Sequence, residues 1–500
     1  MREISSTQRH LRLRADNSWW DGAGIREDYG RLRPRAYFRR FAELVEQTGV
    51  RRAVVLMGPR RVGKTVLLHH AIARLLAGGD YAPGEIGYAS LDQPLYARLS
   101  IEEMAGEIRR ASGTPNGPRA LFLDEIQYLA DWERHLKAFV DAHPGIRCVV
   151  SGSSAAALRL KSMESGAGRF TDFLLPPLTF HEYLDLQGIE GLVEPVSDGS
   201  HRVVDLEALN AHFIDYVNFG GFPEAVSSPA IRTDPARYIG ADIVDKVLLR
   251  DLPSLYGIQD VQELNALFMT LVFNTAEEVS LEELSQRSGV TKPTIKRYLE
   301  YLEAAFLIRI VHRIDRNARR FRRTTSFKVY AATPSLRCAL FGPVAADDEE
   351  MGPVAETAVF AQWFHAGLDL HYARWRGGEV DIVALDRRQS PDWCVEVKWS
   401  DRHFRNPGIL KGLREFARRH PRAVLLATTR TDTGNAEPWG DGSQLSFTPT
   451  SLYCYLVGQA AIRDPSATGF RAVGGREGDL SRYLERAPDA PPEPGDELPG

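Results

Sequence analysis

Five hundred residues exceed one ordinary core, and at about 150 residues per domain the length points to roughly three domains. Hydrophobic residues make up 43% of the chain and charged residues 26%, which excludes wholesale disorder. The net charge of −4 excludes a globally basic protein, so any phosphate contact must use local patches.

In chain order, residues 1–40 are Arg-rich and broken by Gly and Pro, and they read as an arm. Residues 41–204 alternate short apolar runs with helical stretches. Ala53–Met57, Ile86–Leu91, Ala120–Leu123 and Cys148–Val150 are the runs, and the pattern predicts a parallel sheet covered on both faces. Residues 205–274 read as a helical lid. Residues 275–324 have the helix, turn, helix and strand pattern of a winged helix followed by a basic linker. Residues 325–465 return to mixed α/β, and the Pro-rich, acidic residues 466–500 are expected to be largely disordered. The fold class is therefore α/β multidomain. Cys148, Cys338, Cys394 and Cys454 are widely spaced, which fits reduced buried thiols better than a zinc or disulfide framework. No run approaches the roughly 18 apolar residues of a membrane span. The first residues lack the apolar segment of a secretory signal, so a cytoplasmic protein without a membrane partner is expected.

Gly58-Pro59-Arg60-Arg61-Val62-Gly63-Lys64-Thr65 matches the P-loop pattern at each fixed position, between an expected strand and a helix that continues through Val66. Gly58 and Gly63 let the backbone wrap phosphate, with helix-start amides aimed at its oxygens. Lys64 reaches the β- and γ-phosphates of ATP, and the Thr65 hydroxyl ligates Mg²⁺. Leu121-Phe-Leu-Asp124-Glu125 pushes two carboxylates out of a buried strand end. Asp124 would hold Mg²⁺ and Glu125 would orient the attacking water. Ser151, at the end of the next strand, reads either as a sensor of the γ-phosphate or as a helix cap.

These residues, with Asp131-Trp-Glu133, Gly168-Arg169, Pro177-Leu-Thr-Phe-His-Glu182 and Gly220-Gly-Phe-Pro223, resemble a prokaryotic AAA-type ATPase family. Its members carry a C-terminal domain of unknown function. The resemblance implies an ASCE-type sheet with a helical lid, ATP as nucleotide, and ring assembly as a homo-oligomer. The stretch Ala331-Ala-Thr-Pro-Ser-Leu336 departs from the family's acidic-Gly turn. Arg169 reads either as a charge-stabilising finger or as a salt-bridge residue, with Arg250 a weaker candidate for the finger.

Farther on, Asp381 and the Glu396-x-Lys398 triplet lie on two expected strands, and alternation puts Glu396 and Lys398 on one face. Glu356, on a helical stretch, is a candidate fourth member. Two carboxylates for a second Mg²⁺ or Mn²⁺ and a lysine for the water meet the needs of phosphodiester hydrolysis. The set resembles the PD-(D/E)xK restriction-endonuclease-like superfamily, although Val380 replaces the proline before the aspartate. An active site, a retired one and a chance match all remain open. Residues 312–323 hold six arginines and one acid, and suit either phosphate contact or a solvated linker. Lys292, Lys296 and Arg297 open the second winged-helix helix, where recognition helices meet DNA, but such a module equally serves packing alone; nucleic acid is the expected partner, DNA ahead of RNA. Two functions follow: an ATP-driven protein acting on nucleic acid, or an ATP-controlled switch with an interaction module.

Overall fold

The computed structural model describes residues 6–97, 99–152, 168–196, 201–314, 326–363, 368–436 and 444–463. The basic run ending at residue 323 lies mostly outside them, and the expected tail lies wholly outside them. The chain divides into two compact units. The first comprises Met1–Leu186, Val217–Val311 and Arg323–Pro343, and the second Gln187–Tyr216, His312–Arg322 and Val344–Gly500. The boundary near 343 differs from the expected 325 because strand Ser326–Ala331 pairs with Glu278–Ser280 of the first unit.

The first unit is built on five strands: β1 (Ala53–Met57), β2 (Ile86–Ser90), β3 (Ala120–Asp124), β4 (Arg147–Gly152) and β5 (Phe170–Leu174). They lie in the order β2-β3-β4-β1-β5, and every pairing is parallel. All residues of β1 and β3 are buried, which is why these strands read as continuous apolar runs. A helix over Ile101–Ser112 starts at a capping box in which the Ser100 hydroxyl accepts from the Glu103 amide.

Residues 6–40 are not the separate arm their composition suggests. Helix α1 (Ser6–Asp16) places Leu13 in the same core cluster as Met104 and Ile108. The Asn17 amide donates to the Tyr88 carbonyl at 2.8 Å and accepts from the Tyr88 N–H at 2.7 Å. It thereby occupies the free edge of β2 as a further strand would. The Trp19 and Trp20 indoles both donate to the Ile86 carbonyl, at 3.0 and 2.8 Å. Arg35 is buried and forks onto Glu182 at 2.8 and 2.7 Å. The arginine content marked a surface arm, but buried apolar residues and paired guanidiniums bring the segment inside.

Beyond the sheet, the expected helix pair is present as Leu281–Ser288 and Lys292–Ala304, leading into Ile308–Ile314. Lys292 pairs with Glu282, and Lys296 lies 4.0 Å from Glu300. Gly221 meets Thr333 and Ser335 so closely that an added Cβ would lie 2.5 Å or less from their hydroxyls. The Ala331–Leu336 stretch is thus a packing surface for the Gly-Gly-Phe-Pro segment.

In the second unit, helix α3 (Met351–Trp363) precedes strands β6 (Leu370–Trp375), β7 (Gly378–Leu385) and β8 (Pro391–Glu396). Helix α4 (Lys411–Arg419), β9 (Val424–Thr429) and β10 (Leu445–Pro449) follow. In the first unit, helix α2 (Lys64–Gly78) follows the P-loop. Strands β6, β7 and β8 form an antiparallel meander, and β9 joins β8 in parallel. Phe416 and Leu413 of α4 pack with Val380, Val383 and Cys394 on one face. On the other, Trp363 of α3 lies 5.0 Å from the Trp393 ring and 5.5 Å from Tyr453. With both faces covered, the strand ends are where polar side chains emerge. The four cysteines are free and buried, as their spacing implied.

Candidate active sites

The loop between β1 and α2 has the geometry its glycines require. A Cβ on Gly58 would sit 2.0 Å from the Leu175 carbonyl oxygen, and Gly63 has φ 92°, a left-handed conformation. The Lys64 ammonium is buried and donates to the Gly58 and Pro59 carbonyls at 3.0 and 2.7 Å. Burial pushes Lys64 down in pKa, against the pull of Glu125 and Asp124. Arg35 braces the loop by donating to the Val62 carbonyl at 2.8 Å.

Asp124 ends β3 as the most heavily engaged carboxylate of the site. It accepts from the Thr65 hydroxyl at 2.6 Å and from the Ser151 hydroxyl. Tyr88 also donates to it, at 3.2 Å. Burial first, then the neighbouring Glu125, raise its pKa. Glu125 has φ 55°, unusual for a side chain with a Cβ, and accepts from the Gln127 amide. That turn swings the second carboxylate out of line with the first. Thr65 and Ser151 thus converge on Asp124, with the Lys64 ammonium held in the adjoining loop.

Other expected residues are placed differently. The side chains of Arg60 and Arg61 turn to acids of the following helical stretch, leaving their backbone for phosphate. Arg60 forks onto Asp251 at 2.6 and 2.8 Å, and Arg61 reaches Glu224 at 2.7 Å and Asp242 at 2.9 Å. Arg250 is exposed, and its neighbour Asp251 makes the contact with the loop. Arg169 precedes β5 at the sheet end opposite the P-loop and pairs with Asp141 at 2.5 Å. Action of Arg169 on phosphate is therefore open only to a second copy of the chain.

Tyr88 was not legible as a site residue, because nothing local in Ile86–Ser90 marks it. It helps wall a cavity of about 240 Å³ beside Thr65, Asp124 and Glu125, with Tyr29 and His69. The His69 ring stacks on Tyr29 at 4.3 Å, and burial depresses its pKa to about 4, with Arg26 and His70 adding and Asp28 opposing. A neutral buried histidine contributes stability present above the unfolded value of 6.5 and lost as pH falls through the folded value. Lowering pH from 7 to 5 should therefore cost about 2 kcal/mol through this residue. Thermal unfolding of wild type and His69→Gln at both pH values checks it: equal losses in the two proteins would contradict the assignment.

In the second unit, Asp381 on β7 accepts from the Val397 amide at 2.9 Å and faces the Lys398 ammonium at 3.3 Å. The same ammonium lies 2.9 Å from Glu396, whose second carboxylate oxygen is buried and has no hydrogen-bond partner among the described residues. Burial first, then Asp381, push Glu396 up to about 8. Burial alone would lower Lys398, but Asp381 and Glu396 hold it above its ordinary value. Glu356 is half-buried on α3 and adds negative potential at Glu396 and Lys398. Among the described residues, no three His, Cys, Asp or Glu side chains are grouped to hold a metal. A separate cleft of about 790 Å³ is lined by Asp347, Trp399, Asp401, Arg402 and Arg430, and none of Asp381, Glu396 and Lys398 lines it.

The order of the parallel sheet, the phosphate loop and the carboxylates of Asp124 and Glu125 define an AAA-type P-loop ATPase domain. In agreement, residues 50–184 match the family model described as an AAA domain. Residues 210–347 match a domain of unknown function, DUF8612. An AAA domain implies ATP and usually Mg²⁺, and Lys64, Thr65 and Asp124 fit both. An uncharacterized protein of Methanocaldococcus jannaschii is 22% identical over 375 residues, which is 72% of this chain and 79% of the relative. One of Haemophilus influenzae is 25% identical over 338 residues, 66% of this chain and 78% of the relative. Among solved structures, a DNA replication initiation factor matches at 15% identity and TM-score 0.27, over 55% of this chain and 90% of that one. The Saccharomyces cerevisiae Hsp104:casein complex matches at 15% and 0.28, over 55% of this chain and 50% of that one. Among the described residues no helix is long and apolar enough to cross a membrane.

Proposed function

We propose that this chain is a Mg²⁺-dependent ATPase that acts on nucleic acid, DNA foremost, through a metal-dependent phosphodiester hydrolase in its second unit. The observation that carries the second half is the buried, unpartnered oxygen of Glu396, set beside Asp381 and Lys398. An unsatisfied buried carboxylate oxygen is costly, and a cation is the partner its charge favours. Mg²⁺ is commonly held by one or two carboxylates plus waters and substrate phosphate, so a pair without a third side-chain ligand suffices. The helix, three-strand meander, helix and parallel strand from α3 to β9 agree with the restriction-endonuclease-like arrangement. The helix pair ending at Ala304, with its flanking strands, agrees with a winged helix.

At the nucleotide, Lys64 would contact the β- and γ-phosphates while Thr65 and Asp124 hold Mg²⁺, which when bound offsets phosphate charge. Tyr88 and Ser151 fix the Asp124 carboxylate, and Glu125 orients and polarises the attacking water. At the second site, Asp381 and Glu396 would hold the metal that lowers the pKa of a bound water. Lys398 would place that water or stabilise charge on the phosphate.

The test is incubation of the full chain with Mg²⁺ or Mn²⁺, with and without ATP, on DNA and RNA of several forms. Metal-dependent cleavage that disappears in Asp381→Ala is expected. Intact ATP hydrolysis without cleavage of any substrate would instead leave the second unit as an interaction module switched by ATP.

A further inference from the structure

The end of the parallel sheet opposite the P-loop has an unusual composition. The residue before β1 is Arg52, the residue before β3 is Arg119, and β4 opens with Arg147. Since β3, β4 and β1 are consecutive neighbours, three arginines start three adjacent strands, about 4.8 Å from one strand to the next. The Arg147 amide donates to the Arg119 carbonyl at 2.8 Å, which ties two of these starts together directly. Like charges so arranged repel, and proteins ordinarily intersperse acids to relieve this. Here a cavity of about 230 Å³ is walled by Arg51, Arg52, Arg119 and Arg147, with Tyr81 and His143, and among the described residues no acid lines it.

The four guanidiniums are held differently. Arg147 is buried and donates to the carbonyls of Val45 at 2.9 Å, Arg52 at 3.0 Å and Leu44, so carbonyl dipoles alone balance its charge. Arg119 lies over the Tyr81 ring at 4.8 Å and reaches Glu85 at 3.2 Å. Arg51 and Arg52 are exposed, and among the described residues neither has an ion-pair partner. The nearby His143 is engaged by Glu102 at 2.9 Å. The cavity therefore has a fixed cationic floor, one guanidinium pre-oriented by an aromatic ring, and two free guanidiniums at its rim.

We propose that this cavity is an anion site that takes a phosphate group, with Arg51, Arg52 and Arg119 closing on its oxygens above Arg147. Guanidinium forks match phosphate oxygens in pairs, which an ammonium does not. The volume is below the roughly 300–1,000 Å³ of drug-sized pockets, so it suits a phosphate or pyrophosphate group and excludes a whole nucleotide. The ligand is thus a free phosphate or pyrophosphate, or one phosphodiester of a nucleic-acid backbone running across the sheet end. The five residues of β1 separate this site from the phosphate loop by roughly 16 Å, so neither can serve the other's phosphate. The site is independent of ATP hydrolysis and of the Asp381 trio.

The test uses the full chain carrying Lys64→Ala, so that the P-loop does not contribute. Pyrophosphate is titrated calorimetrically, and a short labelled oligodeoxynucleotide is followed by anisotropy in the absence of divalent metal. Saturable pyrophosphate binding is expected, weakened about tenfold or more by Arg52→Ala with Arg119→Ala and partly retained by the corresponding lysine changes. Arg147 is left intact because its bonds hold the backbone, and an unchanged melting temperature certifies the fold of each variant. Loss of oligonucleotide binding in the same alanine variant identifies the backbone as the source, and its persistence identifies the free anion. Pyrophosphate affinity unaffected by the alanine changes, or no saturable binding to the parent protein, would overturn the site.

Discussion

Lys64→Ala is expected to lose tight ATP binding, and Glu125→Gln to keep it while hydrolysis nearly stops. Lys64 is buried, and among the described residues it donates to carbonyls of its own loop. Exchanging those for two phosphates gives charge-assisted bonds of about 1.5–3 kcal/mol each, so affinity should fall about 10²-fold or more. Glu125 sits outside the Thr65, Ser151 and Tyr88 bonds that hold Asp124, so its amide analogue leaves the Mg²⁺ ligand in place. What disappears is the group that polarises water, a role usually contributing about 10²–10⁴ in rate. Equilibrium binding of a fluorescent ATP analogue and steady-state phosphate release separate the two effects. Wild-type turnover by Glu125→Gln would show that another group performs the base's role.

At the second site, Asp381→Ala and Lys398→Ala should each reduce cleavage about 10²-fold or more, and the double change should be no worse than either one. Groups that act as one unit lose activity non-additively. The geometry makes a unit of them, since one ammonium lies 3.3 Å from Asp381 and 2.9 Å from Glu396. Removing one partner from a buried ion pair also destabilises, by about 3–5 kcal/mol. Asp381→Asn, which keeps the shape and weakens the charge, therefore accompanies the alanine variants, with melting curves for all. ATP hydrolysis should survive in each, because Lys64, Thr65, Asp124 and Glu125 belong to the other unit. Multiplying losses in the double variant would mean that the two residues act separately.

The residues 58–66 were readable from the chain because a P-loop is contiguous: two glycines, a lysine and a hydroxyl at set offsets specify strand, turn and helix by local sterics. Asp124-Glu125 was readable for a similar reason, as a buried apolar strand advertises the acids at its end. The Glu396-x-Lys398 spacing suggested two side chains on one strand face, but β8 ends at Glu396, and Lys398 reaches Glu396 and Asp381 from the segment just after it. Tertiary structure decided the rest, because the partners are far apart in sequence and no local pattern encodes their meeting. Tyr88 reaches Asp124 across neighbouring strands, and Asn17 seals the β2 edge from 71 residues away. Arg35 finds Glu182 from 147 residues away, which turns an apparent arm into a brace for the P-loop. The arginines at 52, 119 and 147 are unremarkable one at a time in the sequence. Only the strand order β3-β4-β1, set by burial of both sheet faces, brings them to one cavity.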